Sequence, residues 1–117
     1  MQISFHDKSP IYRQLSERLR ELILEGVYNN GDALPSVRQI ASEHRINPIT
    51  VSKAFQMLVD EALVEKRRGL GMYVTAGASE KLIEDERRRF LKVDLPDFRD
   101  RAERLGFSAD ELLKEVL

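Results

Sequence analysis

Apolar residues at Ile11, Leu15, Leu19, Leu22 and Ile23 recur at the three- and four-residue spacing that lines one face of a helix. Ser9 can cap that helix and Pro10 suits its first position. Gly26 and Asn29-Asn30-Gly31-Asp32 supply stop and turn chemistry, so the pattern predicts a helix over about 10–25 and a loop over about 26–35. A second helix opens at Ser36, where Ser36-Val37-Arg38-Gln39 fits a capping box, and ends near His44. Its narrow apolar face is Val37, Ile40 and Ala41. A third begins a few residues later, with Asn47 as N-cap, Pro48 at the first helical position, and Ile46 and Val51 placed as a hydrophobic staple. Val51, Ala54, Phe55, Leu58, Val59, Ala62 and Leu63 then keep helical spacing without a miss.

The pattern next changes period. Leu63-Val64-Glu65-Lys66-Arg67 and Met72-Tyr73-Val74-Thr75 are β-prone runs around the turn Arg68-Gly69-Leu70-Gly71, and read as a short hairpin. Ala76-Gly77-Ala78-Ser79 has the small-residue composition of a hinge. Residues 80–93 are strongly charged, with Leu82, Ile83, Phe90 and Leu91 interspersed. Two short helices are expected beyond, split by Gly106, the second opening with the capping box Ser108-Ala109-Asp110-Glu111. Glu84-Asp85-Glu86 and Arg87-Arg88-Arg89 are spaced to pair along a solvated helix face.

Helix, short helix, brief turn, longer helix and basic glycine hairpin are, in that order, the elements of a winged helix-turn-helix. The second helix packs across the third, so Val37, Ile40, Ala41 and Ile46 should meet Val51, Phe55 and Leu58 in a small core. Burying that face turns Ile49, Ser52, Lys53 and Gln56 outward. A helix fits the major groove and reads base edges with its N-terminal residues. Gln56 can read adenine, Lys53 can reach guanine or phosphate, and Ile49 can touch a thymine methyl. On the hairpin, Lys66, Arg67 and Arg68 stand beside Gly69 and Gly71, where cations neutralise phosphates or enter the minor groove.

Composition narrows the alternatives. Net charge is −1, with ten Lys and Arg against nine Asp and Glu before residue 77, so a DNA reader must rely on local positive surface. The absence of cysteine excludes disulfides and a thiolate zinc site. His6 and His44, the two histidines, have no metal-like spacing to a second strong ligand, and no metal or other cofactor is expected. The N-terminus lacks the basic and apolar regions of a signal peptide, and no apolar run approaches the roughly 20 residues that cross a bilayer, so a cytoplasmic protein without a membrane partner is expected. There is no nucleophile–base pair, phosphate loop or cofactor fingerprint, which argues against an enzyme. The remaining rival is a winged helix used for protein docking or RNA, and the cationic wing and polar outer helix face weigh against it.

Several runs resemble the GntR-family DNA-binding domain: Leu34-Pro35-Ser36-Val37-Arg38-Gln39-Ile40-Ala41, Thr50-Val51-Ser52-Lys53-Ala54-Phe55, Glu61-Ala62-Leu63-Val64 and Gly69-Leu70-Gly71-Met72-Tyr73-Val74. The opening Ser9-Pro10-Ile11-Tyr12-Arg13-Gln14-Leu15 is similar to that family's first helix, so the likeness covers residues 9–75. The remainder resembles the short helical tail of the YtrA subfamily. The resemblance implies a mainly α fold with a small β-hairpin wing, a DNA-binding domain at residues 1–77 and a dimerisation tail at 78–117. It also implies a homodimeric repressor on an inverted-repeat operator, with the existence of a small-molecule effector left open. Family DNA contacts carry over onto Arg38, the turn and start of the third helix, and Gly69. With the outward residues, the candidate contacts are Ser36, Arg38, Asn47, Pro48, Ile49, Thr50, Ser52, Lys53, Gln56, Lys66, Arg67, Arg68 and Gly69; Ser36, Asn47 and Pro48 serve first as caps and helix starter. Dimerisation is expected of Leu82, Ile83, Phe90, Leu91, Leu95, Phe98, Leu105, Phe107, Leu112, Leu113 and Val116, too apolar for free-standing tail helices. Two positions depart from the common family pattern. Asn47-Pro48 stands where many members have Ser-Arg, as in the YtrA type, and His44-Arg45 stands where Leu-Gly is frequent, so Arg45 faces an uncomfortable turn geometry or adds a phosphate contact.

Overall fold

The 3.6-residue apolar period of the first segment becomes α1 (Ile11–Leu24) in the computed structural model, which describes residues 1–117. Leu15, Leu19, Leu22 and Ile23 form its buried stripe. The start differs from the expected cap: Pro10 is itself the N-cap, and no side chain closes the first turn. Ser9 instead offers its carbonyl to Gln14 Nε2 at 2.7 Å. Gln14 is buried, donates also to the His6 carbonyl at 2.8 Å, and accepts the His6 N–H at 3.0 Å. One amide thus fastens the N-terminal segment across the start of α1, and Met1, Ile3 and Phe5 lie half-buried on the core. At its far end α1 closes through Gly26, whose φ of 83° lets its N–H reach Ile23 O while Val27 N reaches Leu22 O.

The two caps that follow form as the sequence predicts. Before α2 (Val37–His44), Gln39 N donates to Ser36 Oγ at 3.0 Å and Ser36 N to Gln39 Oε1 at 2.9 Å. Before α3 (Pro48–Asp60), Asn47 Oδ1 accepts from Ile49 N at 2.9 Å, and Ile46 and Val51 are buried on either side of the cap. Ile40 and Ala41 of α2 meet Val51, Ala54, Phe55 and Leu58 of α3 in one core with α1 and Leu63, Val64 and Val74. Each large side chain so buried contributes roughly 1.5–3 kcal/mol.

The third helix ends earlier than its apolar period suggests. Helical geometry stops at Asp60, and Ala62, expected on the buried face, is exposed with φ 61°. Ala62 N donates to Val59 O and Leu63 N to Leu58 O, the pattern a glycine usually supplies. The buried Leu58 and Leu63 impose the turn although the residue between is not glycine. Replacing Ala62 by glycine removes a left-handed penalty of about 1–2 kcal/mol against an unfolded-state cost of about 0.4–1 kcal/mol. A net gain of about 0.5–1 kcal/mol is expected, read as a higher urea midpoint at unchanged slope. The adjoining Glu61 takes a bidentate ion pair from Arg20, tying the end of α3 to α1.

The strands β1 (Val64–Arg67) and β2 (Gly71–Val74) pair antiparallel, Val64 opposite Val74 and Arg67 opposite Gly71. Leu70 N bonds Arg67 O at 2.9 Å across a turn whose third residue, Gly69, has φ 75°. Residues 31–34, expected as plain loop, add a short third edge: Ala33 bridges Tyr73, and Leu34 N reaches Met72 O at 2.9 Å. Two residues are too few for alternation to announce a strand.

Chain contacts divide the molecule into two units, Met1–Leu82 and Ile83–Leu117. The small-residue stretch read as a hinge is partly helix: α4 (Ala78–Arg89) includes Ala78, which is buried, and Ser79, whose hydroxyl faces Ile23 O at 3.4 Å. Small side chains permit close packing as readily as flexibility. Leu82 likewise belongs to the first unit's core and is not free for a partner. In the second unit, helix continues through a π-helical segment, Phe90–Asp94, into α5 (Leu95–Arg104), and α6 (Ala109–Val116) follows. The widened turns precede Pro96, which lacks an N–H and crowds the carbonyl four residues back. The capping box at Ser108 forms, and Arg88 pairs with Glu84 at 3.2 Å and Asp85 at 3.5 Å. No helix is long and apolar enough to cross a membrane.

Candidate nucleic-acid interface

The inner face of α3 is fixed by Val51, Ala54, Phe55 and Leu58, all buried, and this leaves its outer face to the remaining residues. Ile49, Ser52, Lys53 and Gln56 are exposed there, and Thr50 is half-buried. Ile49 is 74% exposed, an aliphatic side chain left in water at the head of the helix. Asn47 and Pro48 are exposed beside it. From α2, Ser36 and Arg38 are exposed, and Arg38 shares with Val37, Ala41, Ser42, Ile46 and Pro48 a shallow depression between the two helices. Lys66, Arg67, Arg68 and Gly69 are exposed on the wing.

The cations differ in what already holds them. Arg38, Arg45, Lys53, Lys66 and Arg68 take part in no ion pair, so their charge is uncompensated at short range. Arg67 is held in place: its guanidinium bonds Glu65 Oε1 at 3.0 Å and lies 4.1 Å from the centre of the Tyr73 ring. Gln56 donates to Asp60 Oδ1 at 2.8 Å, which orients its amide along α3. Lys53 Nζ sits 4.9 Å from the centre of the Tyr12 ring on α1. Arg45 adopts the left-handed conformation (φ 54°, ψ 49°) that its place in the turn demands, with its side chain exposed.

Sequence reasoning gave no role to Tyr12 or Tyr73, the two aromatic rings beneath these cations. Tyr73 lies on the neighbouring strand, opposite Glu65, and the hairpin register could have placed it near Arg67. Tyr12 and Lys53 belong to different helices, and nothing local joins them. The expected dimerisation residues Ile83, Phe90, Leu91, Leu95, Phe98, Leu105, Phe107, Leu113 and Val116 are exposed in the second unit, and Leu112 is half-buried.

Residues 11–74 match the model of the family described as bacterial regulatory proteins, gntR family. The HTH-type transcriptional repressor YtrA of Bacillus subtilis is 42% identical over 84 residues, covering 72% of this chain and 65% of the repressor, just under two thirds of its length. Among solved structures, a transcriptional regulator from Oenococcus oeni superposes with a TM-score of 0.78 at 29% identity, over 97% of this chain and 93% of that one. A GntR family transcriptional regulator from Listeria monocytogenes gives 0.71 at 29% identity, over 96% of each chain.

Proposed function

The chain belongs to the gntR family of bacterial regulatory proteins, and from that premise we propose that it is a sequence-specific DNA-binding transcription regulator, a repressor that binds an inverted-repeat operator as a homodimer. The observation that carries this reading is the outward face of α3, where exposed Ile49, Ser52, Lys53 and Gln56 accompany the unpaired cations Arg38, Lys66 and Arg68 of the same unit. Residues 1–77 read the DNA and residues 78–117 join two copies, the turns of α4 from Ala78 to Leu82 staying with the first unit. Two symmetric copies place two α3 helices in successive major grooves, with the wings on flanking backbone. The protein works in the cytoplasm and carries out no catalysis. An effector, where one exists, acts by changing the spacing of the two DNA-binding heads.

Fluorescence titration against randomised and inverted-repeat duplexes at physiological salt tests this. Selective binding is expected, and Arg38→Ala weakens it by about 1–3 kcal/mol while the protein stays folded. Folded protein that binds every duplex alike overturns the operator-reading function and favours a docking module.

A further inference from the structure

Lysine on a recognition helix can serve either of two roles, reading guanine or gripping phosphate, and these leave different marks on specificity. The surroundings of Lys53 separate them. Its ammonium has no carboxylate partner and rests 4.9 Å from the centre of the Tyr12 ring. Tyr12 is half-buried and packed on the core, so it is a fixed platform on α1. The tip of Lys53 therefore lies over the start of α1, at the flank of the face made by Ile49, Ser52 and Gln56. Gln56 is bound instead to Asp60 of its own helix and stays on that face.

We propose that Tyr12 is a positioning residue that holds Lys53 to the side of the recognition face, making Lys53 a backbone-phosphate contact and leaving base discrimination to the other residues of α3. This rests on the DNA-binding function proposed above and adds a division of labour within it. A lysine directed at phosphate contributes equally to every sequence and releases one counterion, so its loss lowers affinity uniformly and flattens the salt dependence. A lysine directed at guanine does the opposite, relaxing one position of the operator. The ring holds an exposed ammonium weakly, so removing it is expected to cost about two- to fivefold in affinity.

The test uses the full chain, the duplex that wild-type protein selects from a random pool, and a scrambled duplex of equal length. Kd is measured over a range of salt for wild type, Lys53→Ala, Tyr12→Phe, Tyr12→Leu and the Tyr12→Leu/Lys53→Ala pair. Lys53→Ala is expected to weaken both duplexes by one common factor and to lower the salt slope by about 0.9 per protomer. Tyr12→Phe keeps the ring and binds as wild type; Tyr12→Leu weakens binding about two- to fivefold, and that loss vanishes in the Lys53→Ala background. A change of preferred base at one operator position in Lys53→Ala overturns the proposal, as does a Tyr12→Leu loss that persists without the lysine. Should wild-type protein select no sequence, the operator-reading function fails, yet the salt slope of Lys53→Ala on the scrambled duplex still decides the role of the lysine.

Discussion

Phe55→Ala is expected to remove about 3–5 kcal/mol of folding stability, a large part of the roughly 5–15 kcal/mol that a domain of this size possesses. Phe55 is 1% exposed and is the largest side chain buried to that degree. It sits on the inner face of α3 in the core that gathers α1, α2 and the hairpin, where only partial relaxation into its space is expected. The consequence reaches function, because the same packing that buries Phe55 sets the rotation of α3 and hence which side chains face outward. Urea unfolding monitored by circular dichroism measures the loss, with Phe55→Leu as the comparison that keeps more of the volume and is expected to cost less than the alanine variant. A loss below about 1 kcal/mol for the alanine variant would show that the core closes without the ring and that the orientation of α3 has another source.

The elements with a long period or a strong local signal were the legible ones. The α1 stripe from Leu15 to Ile23 and the caps at Ser36, Asn47 and Ser108 have their causes within four residues and form as written, whereas Ile11, expected on the same stripe, is left exposed at the head of the helix. Failures occur where a distant partner decides. Apolar Ala62 continues the α3 pattern, yet the burial of Leu63 beside Leu58 ends the helix and leaves Ala62 in the left-handed region. Ala78 and Ser79 carry a hinge composition, yet they pack as the first turn of α4. Leu82 looks like the first apolar residue of the tail, although it belongs to the core before it. Gln14 is ordinary in sequence and becomes a buried clamp only because residues 6–9 return across it.

For the candidate interface, helical period alone assigns Ile49, Ser52, Lys53 and Gln56 to one outward face, and the structure exposes all four, with the Lys53 ammonium turned toward the Tyr12 ring. What the period cannot give is how each side chain is held. Lys66, Arg67 and Arg68 read as one basic run, but strand alternation and pairing separate them: Arg67 shares Glu65 and Tyr73, while its two neighbours make no ion pair. The run is therefore expected to act unequally, with Lys66 and Arg68 available to phosphate and Arg67 stiffening the hairpin that carries them. Arg45 illustrates the reverse case. The residue type conflicts with the turn, and the turn prevails, leaving an unpaired arginine at the mouth of the helix-turn-helix.

Converting Phe90 and Phe98 together to aspartate is expected to yield a monomer whose affinity for an inverted-repeat operator falls about 10²–10⁴-fold, with half-site affinity unchanged. Both rings are more than half exposed, in a unit of short helices that also leaves Ile83, Leu91, Leu95, Leu105, Phe107, Leu113 and Val116 in water. A charged residue on an apolar contact face brings a desolvation penalty into any assembly that covers it, and two per chain become four across a symmetric pair. The core that holds α3 lies wholly within Met1–Leu82, so the DNA-reading unit should keep its fold and its single-site binding. The large loss is expected because, in the proposed homodimer, linked heads would meet the second half-site at an effective concentration that separate monomers cannot reach. Sedimentation equilibrium gives the assembly state, circular dichroism the fold, and titrations on full and half operators the coupling. A double variant that remains dimeric would move the contact to another face, and a monomeric wild type would remove the symmetric operator from the mechanism altogether.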